Sequence, residues 1–125
     1  NARNSQLFNF DGKINIRNAK YSHDFSSIDE YNFSPISNKY SKAYLHHLFR
    51  TKELLAYRLA TIHNLSYVLR LMKGIRESIS SGTFEQYRTQ FHSRFIPPDE
   101  DTRRIQKSKW LDSRKRMRER QNKLC

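Results

Sequence analysis

The sequence contains very little cysteine, glycine or proline. Of its 125 residues, one is cysteine, at position 125, and glycine and proline occur three times each. A single thiol excludes an internal disulfide framework and a zinc site built from several cysteines of this chain. Long apolar runs are also missing, because no stretch approaches the roughly 20 residues that cross a bilayer as a helix.

Acidic residues are scarce relative to basic ones. Lys and Arg together number 24 against 12 Asp and Glu, which gives a formal charge of +12. Because neutralising phosphates releases counterions, such a chain favours a polyanion as its partner, and RNA, DNA and an anionic membrane all fit. The alternative is a protein that merely happens to be basic. Hydrophobic residues make up only 36%, so we expect one domain with a small core.

Alternation and turn signals predict the first elements. Residues 7–17 predict a β-hairpin with Asp11-Gly12 as its two-residue turn. Residues 18–38 are rich in Ser, Asn, Asp and Tyr, which is typical of an irregular connector. Ser41 is the predicted N-cap of a short helix, and Thr51 is the predicted N-cap of a longer second helix.

Helical periodicity dominates the middle of the chain. Apolar residues recur at steps of three and four over residues 55–79. A break is predicted at His63-Asn64, because asparagine competes locally for helix hydrogen bonds. Ser81-Gly82 is expected to end this helix. Thr83 is the predicted cap of the next helix, which stops at Pro97-Pro98.

The last 25 residues form a strongly basic segment. Residues 101–125 contain ten Lys and Arg against three Asp and Glu, a balance of +7. They predict a basic helix or a tail that folds on a partner, and a disordered tail is the alternative. We therefore expect one unit over residues 1–98 and a basic helical extension over residues 99–125.

Four stretches together resemble one known family. They are NARNSQLF at 1–8, DGKINIRNAKY at 11–21, SKAYLHHLFRTKELLAYRLATIHNL at 41–65 and LRLMKGIRESISSGTFEQY at 69–87. Over roughly residues 1–95 the chain resembles the C-terminal part of bacterial-type tRNA-guanine transglycosylase, which exchanges guanine for a queuine precursor at the tRNA wobble position. The predicted fold is mainly α with a small β-hairpin. The resemblance implies a remnant of the C-terminal portion of a TIM barrel and its former zinc subdomain, followed here by a basic helical tail.

The resemblance also implies the position of a metal site. The family binds zinc through Cys-x-Cys-x-x-Cys and a downstream histidine. Those positions fall on Asn32, Ser34, Ser37 and His63. An amide and two hydroxyls are poor donors for zinc, which prefers thiolate, imidazole or carboxylate. We therefore expect no metal and no other cofactor, and His63 is expected to cap or pack within the helix pair.

The resemblance further implies that the catalytic groups are absent. The family's nucleophilic aspartate corresponds to a position shortly before Asn1, and its second acid and base-binding pocket lie earlier. Asp11, Asp24, Asp29 and Glu30 are interpreted as turn and surface acids, because no pocket accompanies them as an acid–base pair. The chain is therefore predicted not to be an enzyme and to have no small-molecule substrate.

The leading hypothesis is a non-catalytic, RNA-binding structural protein, a subunit of a mitochondrial or other organellar ribosome. Its partners would be rRNA or tRNA and neighbouring ribosomal proteins, with no membrane partner. The resemblance matches Arg3 to an arginine near the anticodon. The predicted RNA-binding residues are Arg3, Arg17, Lys20, Lys39, Lys42, Arg50, Arg103, Arg104, Lys107, Lys109, Arg114, Lys115, Arg116, Arg118 and Arg120. The alternatives are a tRNA-docking subunit of a split transglycosylase and a protein–protein adaptor built on residues 51–80.

Overall fold

The described part of the chain contains four α-helices and one β-hairpin. The computed structural model describes residues 1–31, 34–97 and 100–124, with only the backbone at 100–102 and 122–124. The elements are β1 (Gln6–Asn9), β2 (Gly12–Asn15), α1 (Lys42–Arg50), α2 (Leu54–Ser80), α3 (Phe84–Arg94) and α4 (Glu100–Leu124). Single 3-10 turns lie at Ala2–Asn4 and Ala19–Tyr21. The prediction of a mainly α fold with a small antiparallel hairpin is confirmed.

The hairpin turns one residue earlier than predicted. Asn9 pairs with Gly12, so the loop is Phe10-Asp11 rather than Asp11-Gly12. Gly12 lies in β2 with φ of 141°, and a Cβ there would be 2.8 Å from the carbonyl oxygen of Ile96. The Ile96 N–H also donates to the Asp11 carbonyl oxygen at 3.1 Å. The glycine therefore permits the close approach of a segment that is distant in sequence.

Ser41 and Thr51 have different roles at the boundary between α1 and α2. The Ser41 Oγ accepts a hydrogen bond from the Tyr44 N–H at 3.1 Å, which is the predicted N-cap. The Thr51 hydroxyl instead donates to the His47 carbonyl oxygen at 3.0 Å. Since α2 begins at Leu54, Thr51 ends α1, and its predicted role as the cap of α2 is wrong.

The helix α2 runs without interruption through the predicted break. The Asn64 side chain accepts from the Phe8 N–H at 3.0 Å and donates to the Gln6 carbonyl oxygen at 2.9 Å. The His63 Nε2 donates to the Phe8 carbonyl oxygen at 2.7 Å. Because β1 satisfies the asparagine side chain, that side chain does not compete with its own helix. These bonds clamp the hairpin to α2.

The core lies between the hairpin, the connector after it, α1 and the first half of α2. Burial of each large apolar side chain stabilises the fold by about 1.5–3 kcal/mol. The core side chains are Leu7, Ile16, Tyr21, Ile28, Ile36, Leu45, Leu48, Phe49, Ala56, Leu59 and Ala60. The second half of α2 packs against α3 instead.

Both C-terminal helices lie outside this core. Gly82, with φ of 71°, follows the end of α2 as predicted. Thr83 occupies the N-cap position of α3 without a capping hydrogen bond from its side chain, and Pro98 lies outside the described residues. In α4 the described side chains are exposed except for a half-buried Ser113. Within the described residues, no helix is both long and apolar enough to span a membrane.

Candidate nucleic-acid interface

Four of the predicted RNA-binding residues share one face of α4. Arg103, Lys107, Arg114 and Arg118 are exposed, and at 3.6 residues per turn they lie within about 60° of one another around the helix. With a rise of about 1.5 Å per residue, they extend along about 22 Å. The guanidinium carbon of Arg114 lies 4.8 Å from the centroid of the Trp110 ring. We call these four cations the α4 cationic face.

The remaining predicted residues of the tail surround that face. Arg104 and Lys115 lie at its border, whereas Lys109, Arg116 and Arg120 lie toward the opposite side of the helix. All five are exposed. Among the side chains that the structure describes in α4, charged residues lie on most sides of the helix, and its large apolar residues are exposed.

The predicted cations nearer the N-terminus include a pair that lines one cavity. Arg17 and Arg50 line a shallow cavity of about 490 Å³ beside α1. The Lys20 Nζ lies 5.0 Å from the centroid of the Tyr21 ring. Arg3 is exposed in the first 3-10 turn. Arg17 and Arg50 are therefore placed to contact the same polyanion.

Two further predicted lysines flank a pair of tyrosines. The rings of Tyr40 and Tyr44 stack with centroids 5.6 Å apart and planes 12° apart, and Lys39 lines a cavity with them. The Lys42 Nζ is partly buried and lies 4.0 Å from the Asp24 carboxylate. Because this carboxylate already neutralises part of its charge, Lys42 is the least available of the predicted cations.

The positions that the resemblance assigns to zinc hold a hydrogen-bonded cluster. Asn32 lies outside the described residues, and Ser34, Ser37 and His63 are buried. The Ser37 hydroxyl donates to the Asp29 carboxylate, and the His63 Nε2 is engaged with a carbonyl oxygen of β1. Two hydroxyls and an imidazole whose Nε2 already donates do not fit zinc. Across the described residues, no three His, Cys, Asp or Glu side chains group as metal ligands would.

Asp29 is the hydrogen-bond acceptor at the centre of this cluster. The residue is 3% exposed, and its carboxylate accepts from the Tyr31 N–H at 2.8 Å as well as from the Ser37 hydroxyl. The charge of Asp29 also raises the pKa of His63, although burial of the imidazole has the larger, opposite effect. The interpretation of Asp29 as a surface acid is therefore wrong. A buried carboxylate that accepts two hydrogen bonds organises the connector beside α2.

His63 should make the stability of the protein depend on pH. Burial lowers the pKa of His63 below its ordinary value of 6.5 and outweighs the Phe8 carbonyl and Asp29 carboxylate, which raise it. The unfolded chain therefore binds a proton more readily than the folded protein. The full stability is present above pH 6.5, and below it the free energy of unfolding should fall by up to about 1.4 kcal/mol per pH unit for one proton. Urea unfolding followed by circular dichroism measures this slope.

Two glutamine variants compare His63 with an exposed histidine. His63→Gln keeps an amide donor near the Phe8 carbonyl but cannot titrate, so it should lose this pH dependence. His47→Gln removes an exposed histidine of α1 and should retain it. If His63→Gln still lost unfolding free energy below pH 6.5 as the unaltered chain does, the assignment of this pH dependence to His63 would be wrong.

Sequence reasoning misses a second group of cations, which lines a cleft between α2, α3 and the hairpin. Arg70 and Lys73 of α2 and Arg94 of α3 line it together with the rings of Tyr87 and Phe91. Arg70 and Lys73 are three residues apart and so lie on one face of α2. That spacing could be recognised in the sequence. The side chains of α3 could not be assigned to the same cleft from the sequence, because the turn between α2 and α3 brings them there.

The chain is similar to proteins of one family. A family model described as queuine tRNA-ribosyltransferase matches residues 1–96. A queuine tRNA-ribosyltransferase of Dehalococcoides mccartyi strain CBDB1 is 47% identical over 113 residues, which cover 90% of this chain and 29% of the relative. One from Tolumonas auensis is 48% identical over 98 residues, covering 78% of this chain and 26% of the relative. The chain spans less than a third of the length of these curated relatives.

These relatives contradict several predictions. They are named as tRNA-ribosyltransferases, which are enzymes, so the prediction of a non-enzymatic protein is wrong. The predicted ribosomal subunit with ribosomal protein neighbours is wrong for the same reason. The relatives are bacterial, which contradicts the mitochondrial localisation. A basic surface binds phosphate in a tRNA-modifying enzyme as it does in a ribosome, so charge alone does not separate the two.

Proposed function

The chain belongs to the queuine tRNA-ribosyltransferase family, and from this premise we propose that it is a tRNA-engaging portion of an enzyme that modifies tRNA. RNA is the class of partner that both the family and the charge of the chain support. The described residues contain no acid–base constellation that would perform the exchange. Binding and orienting tRNA is therefore the task that these side chains are suited to perform.

The α4 cationic face is the observation that carries this proposal. Its length of about 22 Å corresponds to about six nucleotide steps along the axis of a duplex, at the roughly 3.4 Å rise per step of B-DNA. Its side chains are exposed, so contact with phosphate requires no rearrangement of the core. Arg3, Arg17, Lys20, Lys39 and Arg50 remain predicted contacts of the same tRNA.

We also propose that residues 1–98 and 99–125 are two parts with different tasks. The first part would be the C-terminal portion of a TIM barrel with its former zinc subdomain, and the second a basic extension. The confinement of the core side chains to residues 7–60 supports this division. The first part would join the chain to the catalytic barrel, and the second would reach along the tRNA.

A hybrid enzyme tests the proposal. Replacing the matched segment of the Tolumonas auensis relative with this chain should give a protein that still exchanges labelled guanine into tRNA. The 48% identity over 98 residues makes the exchange of segments feasible. The measurement is the rate of guanine incorporation, with the unaltered relative as the reference.

A second hybrid that ends at residue 98 serves as the control. It should keep the exchange reaction but bind tRNA more weakly, because α4 is missing. A folded hybrid that binds tRNA without any exchange would overturn the assignment of this chain to a working enzyme.

A further inference from the structure

We propose that the cleft between α2, α3 and the hairpin holds one unpaired nucleotide of an RNA strand, with its phosphate on the cations and its base on the aromatic rings. The inference rests on the proposed function for its choice of RNA as the partner. The cleft has a volume of about 460 Å³, which lies within the roughly 300–1,000 Å³ of small-ligand sites. The side chains that the proposal uses are Arg70, Lys73, Arg94, Tyr31, Tyr87 and Phe91.

The cations of the cleft differ in their availability to a phosphate. Among the residues that the structure describes, none forms an ion pair with the exposed Arg70. The Lys73 Nζ lies 3.8 Å from the Glu77 carboxylate, but both side chains are about two-thirds exposed, so the pair is weak. The Arg94 guanidinium lies 3.5 Å from the Asp11 carboxylate. Arg70 is therefore the primary phosphate ligand, and Lys73 is the second.

The aromatic side chains give the cleft a surface for a planar base. Tyr87 lies so close to Gly74 that a Cβ on the glycine would overlap the ring, so the glycine lets Tyr87 lie directly against α2. Phe91 follows one turn later on α3 and is half-buried. On the other side, Phe10 and Tyr31 meet edge to face with centroids 5.6 Å apart.

Cations and partly exposed rings together select an unpaired nucleotide. A base within a duplex is stacked between its neighbours and does not offer its face, whereas an unpaired base can stack on an aromatic side chain. Arg94 contributes as a wall of the cleft, since its guanidinium carbon lies 4.9 Å from the centroid of the Tyr31 ring. The same chemistry would accept a free nucleoside monophosphate, which the test below distinguishes from a strand.

Paired variants of α2 test the phosphate contact with a labelled, single-stranded RNA oligonucleotide and the full chain. Arg70→Gln should weaken binding about fivefold at about 0.1 M salt and lower the salt slope by about 0.7, the value for one phosphate on a single strand. Arg76→Gln removes the same charge from an exposed position of the same helix outside the cleft. It should change the affinity less than about twofold.

Two variants of Tyr87 test the base contact. Tyr87→Leu should weaken binding about fivefold or more without changing the salt slope, because stacking releases no counterions. Tyr87→Phe retains the ring and should bind as the unaltered chain does. Circular dichroism confirms that each variant is folded before its affinity is compared.

The outcomes separate this inference from the proposed function. Equal losses in Arg70→Gln and Arg76→Gln would overturn the nucleotide site, while guanine exchange by the hybrid enzyme would still support the proposed function. Guanosine monophosphate serves as the probe for the free nucleotide. If it displaces the oligonucleotide at concentrations near the oligonucleotide's own dissociation constant, the site takes a free nucleotide, and the assignment to an RNA strand is wrong.

Discussion

Labelled tRNA should bind about 100- to 1,000-fold more weakly at about 0.1 M salt when the α4 cationic face is replaced by glutamine at Arg103, Lys107, Arg114 and Arg118. Each phosphate contact adds about 0.9 to the salt dependence of the binding constant on a duplex and about 0.7 on a single strand, with DNA as the guide. Losing three or four contacts therefore lowers the slope by about two to three and a half. Fluorescence anisotropy over a series of salt concentrations measures both quantities.

A second quadruple variant removes the same charge from elsewhere on the surface. Its positions are exposed and lie outside the cleft and the predicted contacts: Lys13, Arg58, Arg76 and Arg88. It should weaken tRNA binding less than about tenfold, since only the long-range field changes. Equal losses in the two variants would show that net charge, and not α4, determines the affinity. Glutamine is a good helix former, so α4 should keep its helicity in circular dichroism.

Replacement of Asp29 by alanine should strongly lower the free energy of unfolding. The Tyr31 N–H and the Ser37 hydroxyl would lose their acceptor at a residue that is only 3% exposed. Hydrogen bonds to a charged group contribute about 1.5–3 kcal/mol each, so the loss of two should lower the free energy of unfolding by about 3–6 kcal/mol. That is a large share of the roughly 5–15 kcal/mol that stabilises a typical domain. Urea unfolding measures the difference.

Asp24→Ala is a matched control, because Asp24 makes the same kind of bonds in an open position. Its carboxylate accepts from the Ser26 N–H at 3.0 Å and from the Ser26 hydroxyl, but its side chain is 31% exposed. Water can replace these bonds, so the loss should stay below about 1 kcal/mol. Similar losses for the two aspartates would refute the central role of Asp29.

EDTA should leave the unfolding curve of the unaltered chain unchanged. A loss of stability caused by the chelator would show a bound metal.

Features that depend on neighbouring residues could be predicted from the sequence. The Ser41 cap, the end of α2 before Gly82 and the existence of the hairpin each follow from a few adjacent side chains. The cations of α4 could also be predicted, because their spacing along one helix determines their common face. The family resemblance likewise rests on contiguous stretches.

Features that depend on distant residues could not be predicted in the same way. The Asp11-Gly12 pair indicates a turn, but the glycine is needed where Ile96 approaches the hairpin. Asn64 lies within a continuous helix because its side chain forms two hydrogen bonds with the backbone of β1, which is far from it in sequence. Asp29 likewise becomes buried only when separate elements pack. The same packing places Arg70 and Arg94 in one cleft.

The backbone contact between Ile96 and the hairpin has one further consequence. The contact joins Asp11 and Gly12 to Ile96, the residue that ends the family match. The chain between these residues, which contains the connector, α1, α2 and α3, therefore forms a ring that is closed by backbone hydrogen bonding and not by a covalent bond. A protease cut within the ring would leave two fragments held in one particle by the bonds of the hairpin and by the core. A cut after Ile96 would detach α4 as a separate peptide and leave the ring intact.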